Sequence, residues 1–359
     1  MKIMETFLVA LVGAVFFTWL HIPLAWTLGP IAAVIGWRTA TKRELQVPSF
    51  FVQLASVLFG YMLGTSFTRE TAWQILQQLP LMLITTISVI IVSLGLGYLV
   101  SRKNQIDFAT GLFGSVPGGL TQMIVAAEEV RGVDISVVSF MQTIRLLSVI
   151  FVIPFVTVHG LATEIGEGTA ALHSPVISAG GVQESGWIVG LLFTVACVVG
   201  LGVGKKLHLP AFTITGPLLG TAILAIVLHI HAPPLPHVLL LLSQLIFGAY
   251  IGLLLQFQQK RNYVKLGLFT ITSSLILLVG ALVISNVLSY TTGSSLTTTF
   301  LSAAPGGMAE MGLTATLVHA DLSTVSSYQM FRLFFIMFAV PPVLKWWILR
   351  QRNKQKAIS

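Results

Sequence analysis

The sequence predicts an all-α polytopic membrane protein, an inverted-topology repeat of 5+5 crossing spans in which each half also carries one re-entrant segment broken at Pro-Gly-Gly. Three observations lead there. Hydrophobic residues make up 55% of the 359 and charged ones 9%, with mean hydropathy +0.89, whereas a soluble domain carries about 25% charge. Apolar runs of about 17–25 residues recur along the chain, each able to cross a ~30 Å hydrocarbon layer as a helix, and isolated strands could not satisfy their backbone there. Finally, the chain echoes itself at an offset of 187–188: His21-Ile22-Pro23 with Gly29-Pro30 returns as His208-Leu209-Pro210 with Gly216-Pro217, and Phe59-Gly60 and Gly64 return as Phe247-Gly248 and Gly252. GSVPGGLTQM at 114–123 returns as SAAPGGMAEM at 302–311, and Gln142, Arg145 and Pro154 return as Gln329, Arg332 and Pro341. One unit of about half the chain occurs twice.

The first segment, 4–20, could pass for a leader peptide, but 186–204 stands in the same place in the second copy, so it is expected to be a retained span. Segment 22–37 carries Gly29-Pro30, and its partner 209–228 carries Gly216-Pro217; both pairs are expected to interrupt their spans, as kinks or as part of a site. Segments 48–67 and 73–100 answer to 236–256 and 264–289. The PGG segments are 107–127 and 296–319, and each is followed by a span with an embedded arginine, 135–158 and 323–348. Repeat 1 therefore occupies 1–158, a Glu-bearing linker without Lys or Arg 159–185, repeat 2 186–350, and a basic tail 351–359.

The basic residues decide how many segments cross. If all twelve do, 7 Lys and Arg fall outside and 11 inside, with Arg145 and Arg332 left out as embedded. If each PGG segment enters and leaves on one side, 17 lie inside and only Arg69 outside. The second arrangement obeys the positive-inside rule. It gives each repeat an odd number of crossings, so the second copy is inverted relative to the first, with both termini cytoplasmic in a bacterial inner membrane. The net charge of +8 is then orientation bias rather than a nucleic-acid surface. Inverted repeats carry one fold between two outward-facing and inward-facing forms, the plan of secondary transporters.

Pro117-Gly118-Gly119 and Pro305-Gly306-Gly307 should stop a helix, since proline lacks the amide donor and glycine tolerates positive φ. Such backbone survives at membrane depth only inside protein or beside a water-filled cavity, and the following half-helix would offer N-terminal amides to an anion. Gln142 and Arg145, like Gln329 and Arg332, share a helix face, and an intramembrane arginine costs roughly 2.5–3.5 kcal/mol on insertion scales, so each is expected to face a partner or a cavity. Glu310, whose counterpart is Gln122, is the acidic residue deepest in an apolar segment. It could pair with one arginine and fix the halves together, or take a proton or help hold Na⁺ as the coupling ion. Two arginines against one glutamate leave a positive excess suited to a small anionic solute such as a carboxylate. No other cofactor is expected. The single Cys197 excludes an internal disulfide. His229, His231 and His237 read as a solvated loop, because no Cys or acidic ligand accompanies them. His21 and His208 belong to a repeated turn that they cap or orient, and Met123 and Met311 read as packing residues.

The P-G-G-x-x-x-M blocks (Pro117 to Met123, Pro305 to Met311), the Gly-Pro after His-x-Pro and the later Q-x-x-R resemble the AbrB membrane-protein family, over about residues 20–350. That family is a gene duplication whose members carry labels such as ammonia monooxygenase or regulator of gene expression, and it is unrelated to the small soluble DNA-binding AbrB proteins. The 5+5 plan with paired Gly-rich re-entrant loops is similar in architecture to glutamate and citrate secondary carriers. The expected function is a secondary transporter of a small anionic organic solute; the alternative is a membrane regulator or scaffold acting on gene expression. A monooxygenase would need a ligand set that the apolar segments lack. The lipid bilayer and a solute are the expected partners, and the architecture is compatible with a homodimer.

Overall fold

A computed structural model describes residues 2–118, 120–128, 130, 132–161, 187–230, 232–254 and 263–356. They form fourteen α-helices, with no strand among the described residues. The first seven are α1 (Lys2–Trp19), α2 (Ala25–Thr41), α3 (Ser49–Gly64), α4 (Arg69–Asn104), α5 (Phe108–Ser115), α6 (Leu120–Glu128) and α7 (Ile135–Val156), the last running into a π-helical turn, Thr157–Leu161. The second seven repeat that order: α8 (Trp187–Lys206), α9 (Phe212–Leu228), α10 (His237–Leu254), α11 (Tyr263–Thr292), α12 (Leu296–Ala303), α13 (Met308–Leu317) and α14 (Leu322–Lys356). Most of the linker expected at 159–185 lies outside the described residues.

Seven of the described helices are long and apolar enough to cross a bilayer: α1, α4, α7 with its π turn, α8, α10, α11 and α14 up to Ile348. Of the ten crossings expected, the other three fall on α2, α3 and α9, which have 16–17 residues and so reach about 25 Å at 1.5 Å per residue. This is a helical membrane protein, and its exposed surface is correspondingly oily, with Trp19, Trp73, Trp187, Val264 and Phe338 all outward.

The duplicated turns have one local cause each. At the end of α1 the Ile22 amide reaches back to the Phe17 carbonyl and the His21 amide to Thr18, while Leu209 reaches Gly204 and His208 reaches Lys205 at the end of α8. That is the Schellman pattern, with His21 and His208 in the left-handed position at φ 54 and 53. Asp107 caps α5 by accepting from the Ala109 and Thr110 amides, Asp134 caps α7, and Asp321 caps α14. Thr110 Oγ1 accepts from the Asp134 amide and Thr298 Oγ1 from the Asp321 amide, tying the starts of α5 and α7, and of α12 and α14, together. At the surface, Lys2 donates to Glu44 at 2.7 Å, which holds that carboxyl below its ordinary range.

One expectation is corrected. Gly29-Pro30 and Gly216-Pro217 do not interrupt their spans; α2 and α9 continue through them as helix. The glycines are there for close approach. A Cβ on Gly13 or Gly29 would strike the other helix of the α1–α2 pair, and Gly200 and Gly216 do the same between α8 and α9. The prolines cross to the other half. A Cβ on Gly60 of α3 would lie 2.9 Å from the Pro217 Cβ, and one on Gly248 of α10 would lie 3.2 Å from the Pro30 Cβ. Thus α3 packs on α9 as α10 packs on α2, and α4 touches α14 as α11 touches α7, with α4 against α11 between them. This reciprocal exchange is what a two-fold relation between halves produces, and small residues let the backbones meet where apolar burial offers no drive in lipid.

Candidate functional site

The two apolar PGG segments are broken, between α5 and α6 and between α12 and α13, where the proline rules require. A residue before proline is pushed out of the helical region, and Val116 (φ −61, ψ 129) and Ala304 (φ −63, ψ 137) are extended accordingly. The Gly118 amide then bonds the Val116 carbonyl at 2.8 Å, and the Gly306 amide bonds Ala304 at 2.9 Å, a three-residue turn around each proline. The buried Met123 and Met311 pack against these turns: a Cβ on Gly118 would lie 2.9 Å from Met123 Cε, and one on Gly306 would lie 2.8 Å from Met311 Sδ. The structure bears out their reading as packing residues. Gly119 and the side chain of Gln122 lie outside the described residues.

Each break leaves the last carbonyls of a half-helix without intrahelical partners, inside the protein. The Gln-Arg pair of the next long helix supplies the donors. Gln142 Nε2 donates to the Phe113 and Val116 carbonyls at 2.8 and 2.9 Å. Arg145 Nη1 donates to Ser115 and Val116 at 3.0 and 2.7 Å, and its Nη2 donates to Gln142 Oε1 at 2.5 Å. In the second half Gln329 Nε2 donates to Leu301 and Ala304 at 2.7 and 3.1 Å. Arg332 donates to Ala304 at 2.5 Å, to Gly306 at 2.6 Å and to Gln329 Oε1. The three-residue spacing of Gln and Arg is what lets one side chain orient the other while both cap one helix end. A cation is favourable at a helix C-terminus, and hydrogen bonds to charged groups contribute about 1.5–3 kcal/mol each. Together these offset the insertion cost of the arginine.

Glu310 departs from the expected ion pair. It is 5% exposed, and among the described residues the ion pairs are Lys2–Glu44 and Arg43–Glu5, both at the surface. Its carboxylate instead turns back onto the start of its own helix, where a Cβ on Gly307 would run into it. Glu310 is the third residue of α13 after the cap position Gly307. A carboxyl there sits on the positive end of the half-helix, so the N-terminal amides of α13, expected to attract a solute anion, already have the Glu310 side chain over them. The arginines have stayed with the carbonyls at the other side of each break because that is where acceptors are unsatisfied.

The breaks lie close together. Ile336 of α14 is against Gly118, α6 touches α14, and α13 touches α7.

Beside Arg145 the α5 end borders a small polar space of about 10 Å³, room for about one water, that the sequence reading did not anticipate. Ser93 of α4, Ser115 of α5, Arg145, and Thr270, Ser273 and Ser274 of α11 supply its polar wall. Ser93 Oγ donates to the Ser115 carbonyl at 2.5 Å. The Ser115 hydroxyl is buried and, like those of Thr27 and Tyr328, has no hydrogen-bond partner among the described residues. Such a wall is hard to read from sequence, since serines and threonines in apolar helices commonly bond only the carbonyl four residues back. Among the described residues, no three His, Cys, Asp or Glu side chains come together in a metal-binding group; of the loop histidines, His231 lies outside the described residues.

Comparison with known proteins adds the lineage. A family described as "Transition state regulatory protein AbrB" matches residues 2–72 and 26–348. A protein of Escherichia coli (strain K12) described as "Putative regulator AbrB" is 26% identical over 334 residues, 90% of this chain and 90% of that one. "Uncharacterized protein YhjN" of Bacillus subtilis (strain 168) is 29% identical over 263 residues, 68% of this chain; the match spans 65% of that relative's length.

Proposed function

The chain belongs to the AbrB family, matched over residues 26–348, and on that premise we propose that it is a secondary active transporter moving a small anionic organic solute by alternating access. The observation that carries the reading is the pair of broken helices. Each ends in buried carbonyls held by an embedded Gln-Arg pair, at equivalent places in two halves that pack reciprocally. Interrupted helices meeting at a repeat interface are where such carriers build their sites.

In this reading the repeats are inverted, the α5–α6 and α12–α13 hairpins are re-entrant from opposite sides, and the termini are cytoplasmic in a bacterial inner membrane. Gln142, Arg145, Gln329 and Arg332 shape the two hairpin tips, with Pro117, Gly118, Pro305, Gly306 and Gly307 as their turns and Gln122 and Glu310 opening the second half-helices; Gly119, which completes the first triplet in sequence, lies outside the described residues. Glu310 is the coupling group, taking H⁺ or Na⁺, because it is a buried carboxylate with no cationic partner among the described residues.

The name of the Escherichia coli relative favours a second reading, a membrane regulator; a regulatory effect would also follow from altered solute levels. Flux separates the two. Purified protein in liposomes is expected to catalyse uptake or exchange of an organic acid, driven by a pH or Na⁺ gradient, and Glu310→Gln to keep the fold and exchange but lose the response to the gradient. Absence of flux for every organic acid that stabilises the purified protein would leave the regulator.

A further inference from the structure

The two breaks differ in one titratable group. Glu310, the third residue of α13, stands at an offset of 188 from Gln122 of the first repeat. The two side chains have the same length, but only the carboxyl binds and releases a proton. The α12–α13 hairpin is therefore equipped for an ion that its counterpart is not, and the surroundings of Glu310 decide which ion.

A Na⁺ held in a broken helix takes its ligands from unwound carbonyls and from the C-terminal end of the half-helix. Those places are taken here. Leu301 and Ala304 accept from Gln329 Nε2, and Ala304 and Gly306 accept from Arg332, so the carbonyl side of the break already holds a guanidinium. On the other side the Glu310 carboxyl folds back against Gly307 and accepts from its own amide. It lies over the first turn of α13, whose unpaired amides form the positive end of the helix dipole. A metal cation would meet positive potential from both directions. A proton adds to the carboxyl itself and needs no ring of oxygens around a side chain that is 5% exposed.

The helices packed against α13 are α3, α7, α12 and α14. Their titratable or charged groups are Tyr61 on α3, Arg145 on α7, and Tyr328, Arg332 and the basic residues from Lys345 onward on α14, with Asp134 and Asp321 at the starts of α7 and α14; α12 has none. Tyr61 donates to Pro233, the arginines hold the break carbonyls, the two aspartates cap their helices, and Tyr328 lies against Met82 and Leu288. Lys345 is about 20 Å beyond Arg332 along the helix. His319 is exposed past the end of α13. Among the described residues, none of these groups bonds the carboxyl.

We propose that Glu310 is a proton site and that the ion coupled to solute movement is H⁺ rather than Na⁺. The carboxyl takes one proton from the side to which the break is open and returns it to the other. The inference deepens the transport reading, on which it rests for the word coupled, but protonation is measured without any solute.

The test begins with the full-length purified protein alone. Infrared difference spectra between acid and alkaline buffer should show the high-frequency carbonyl stretch of a protonated carboxyl shielded from water. Glu310→Gln should lose that band, and Glu310→Asp, which keeps the group, should shift it. Band and melting temperature should be the same in NaCl as in KCl, since an ion that binds the fold raises its stability; this comparison needs no variant. No such band in the parent, a band that survives in Glu310→Gln, or a melting temperature raised by NaCl over KCl overturns the assignment. Liposomes then receive labelled lactate, succinate or malate. For lactate, one proton per anion gives about tenfold accumulation at a gradient of about one pH unit, and a Na⁺ gradient at equal pH gives none. If a Na⁺ gradient alone drives uptake, transport stands and the proton assignment falls. If the band is found and none of the three acids moves, the proton site stands and transport falls.

Discussion

Removing the Arg145 guanidinium would take charge-assisted bonds from the Ser115 and Val116 carbonyls, leaving Ser93 Oγ on the first and Gln142 Nε2 with the Gly118 amide on the second, and hydrogen bonds to charged groups contribute about 1.5–3 kcal/mol each. Arg145→Met and Arg332→Met are therefore expected to lose about 2–5 kcal/mol and to melt well below the parent in detergent. Gln142→Leu should do nearly as much damage, because it takes one donor each from the Phe113 and Val116 carbonyls and the acceptor that orients Arg145. If either arginine variant melts with the parent, the capping account of the breaks is wrong. The opposite sign is expected at the repeated turns. His21 and His208 hold a left-handed backbone that costs an L-residue roughly 1–2 kcal/mol and a glycine little. His21→Gly and His208→Gly should each raise the melting temperature by about 2 °C, read by the same assay. Glu310 shows why the acidic site was hard to read ahead of structure. Its counter-group is the backbone of its own first turn, beginning at Gly307, not a charged side chain with a spacing to find, and only the third-position placement after the PGG break hints at it.

At the scale of the helix, glycine carries the packing code, and its two uses give opposite predictions. A Cβ at Gly60 or Gly248 meets the proline of a helix from the other repeat, so Gly60→Ala and Gly248→Ala should lose about 1–3 kcal/mol by overpacking. At Gly36 and Gly202 a Cβ would meet nothing within 4 Å, so alanine there should be neutral or stabilise by up to about 1 kcal/mol through helix propensity. Thermal melts of the four variants check both signs. The same contrast marks how far the sequence could be read. The two PGG breaks, the shared face of each Gln-Arg pair and the repeated helix order are legible, because proline and residue spacing act locally and a near-constant offset survives divergence; that the pair caps the broken helix ends is not. The Gly-Pro pairs were misread as interruptions. Proline removes one amide and strains one turn, which a helix held by close-packed neighbours tolerates, and the sequence does not show that α10 and α3 are those neighbours. The Ser93–Ser115 wall was invisible for a related reason: it exists only where α4, α5 and α11 meet.

For the whole molecule, alternating access depends on the two halves pointing opposite ways in the membrane. Asn104 ends α4 and Thr292 ends α11, at equivalent positions just before the broken hairpins. If each PGG hairpin returns to the side it entered from, the first repeat contains an odd number of crossings and these two residues lie on opposite faces of the membrane. If both hairpins cross, they lie on the same face. Lys and Arg distribution favours the first case, with Lys103 beside Asn104 and no basic residue between Lys265 and Arg332. In a Cys197→Ser background, which removes the only native thiol, Thr292→Cys should react with an impermeant maleimide added to intact cells, whereas Asn104→Cys should react only after permeabilisation. Matching behaviour of the two positions would make the repeats parallel and remove the physical basis for alternating access. Opposite behaviour would mean that the two Gln-Arg caps face each other from opposite leaflets. A rocking of one hairpin against the other would then expose the same buried carbonyls to either side in turn, and the two-fold relation would make the outward-facing and inward-facing states near neighbours in energy.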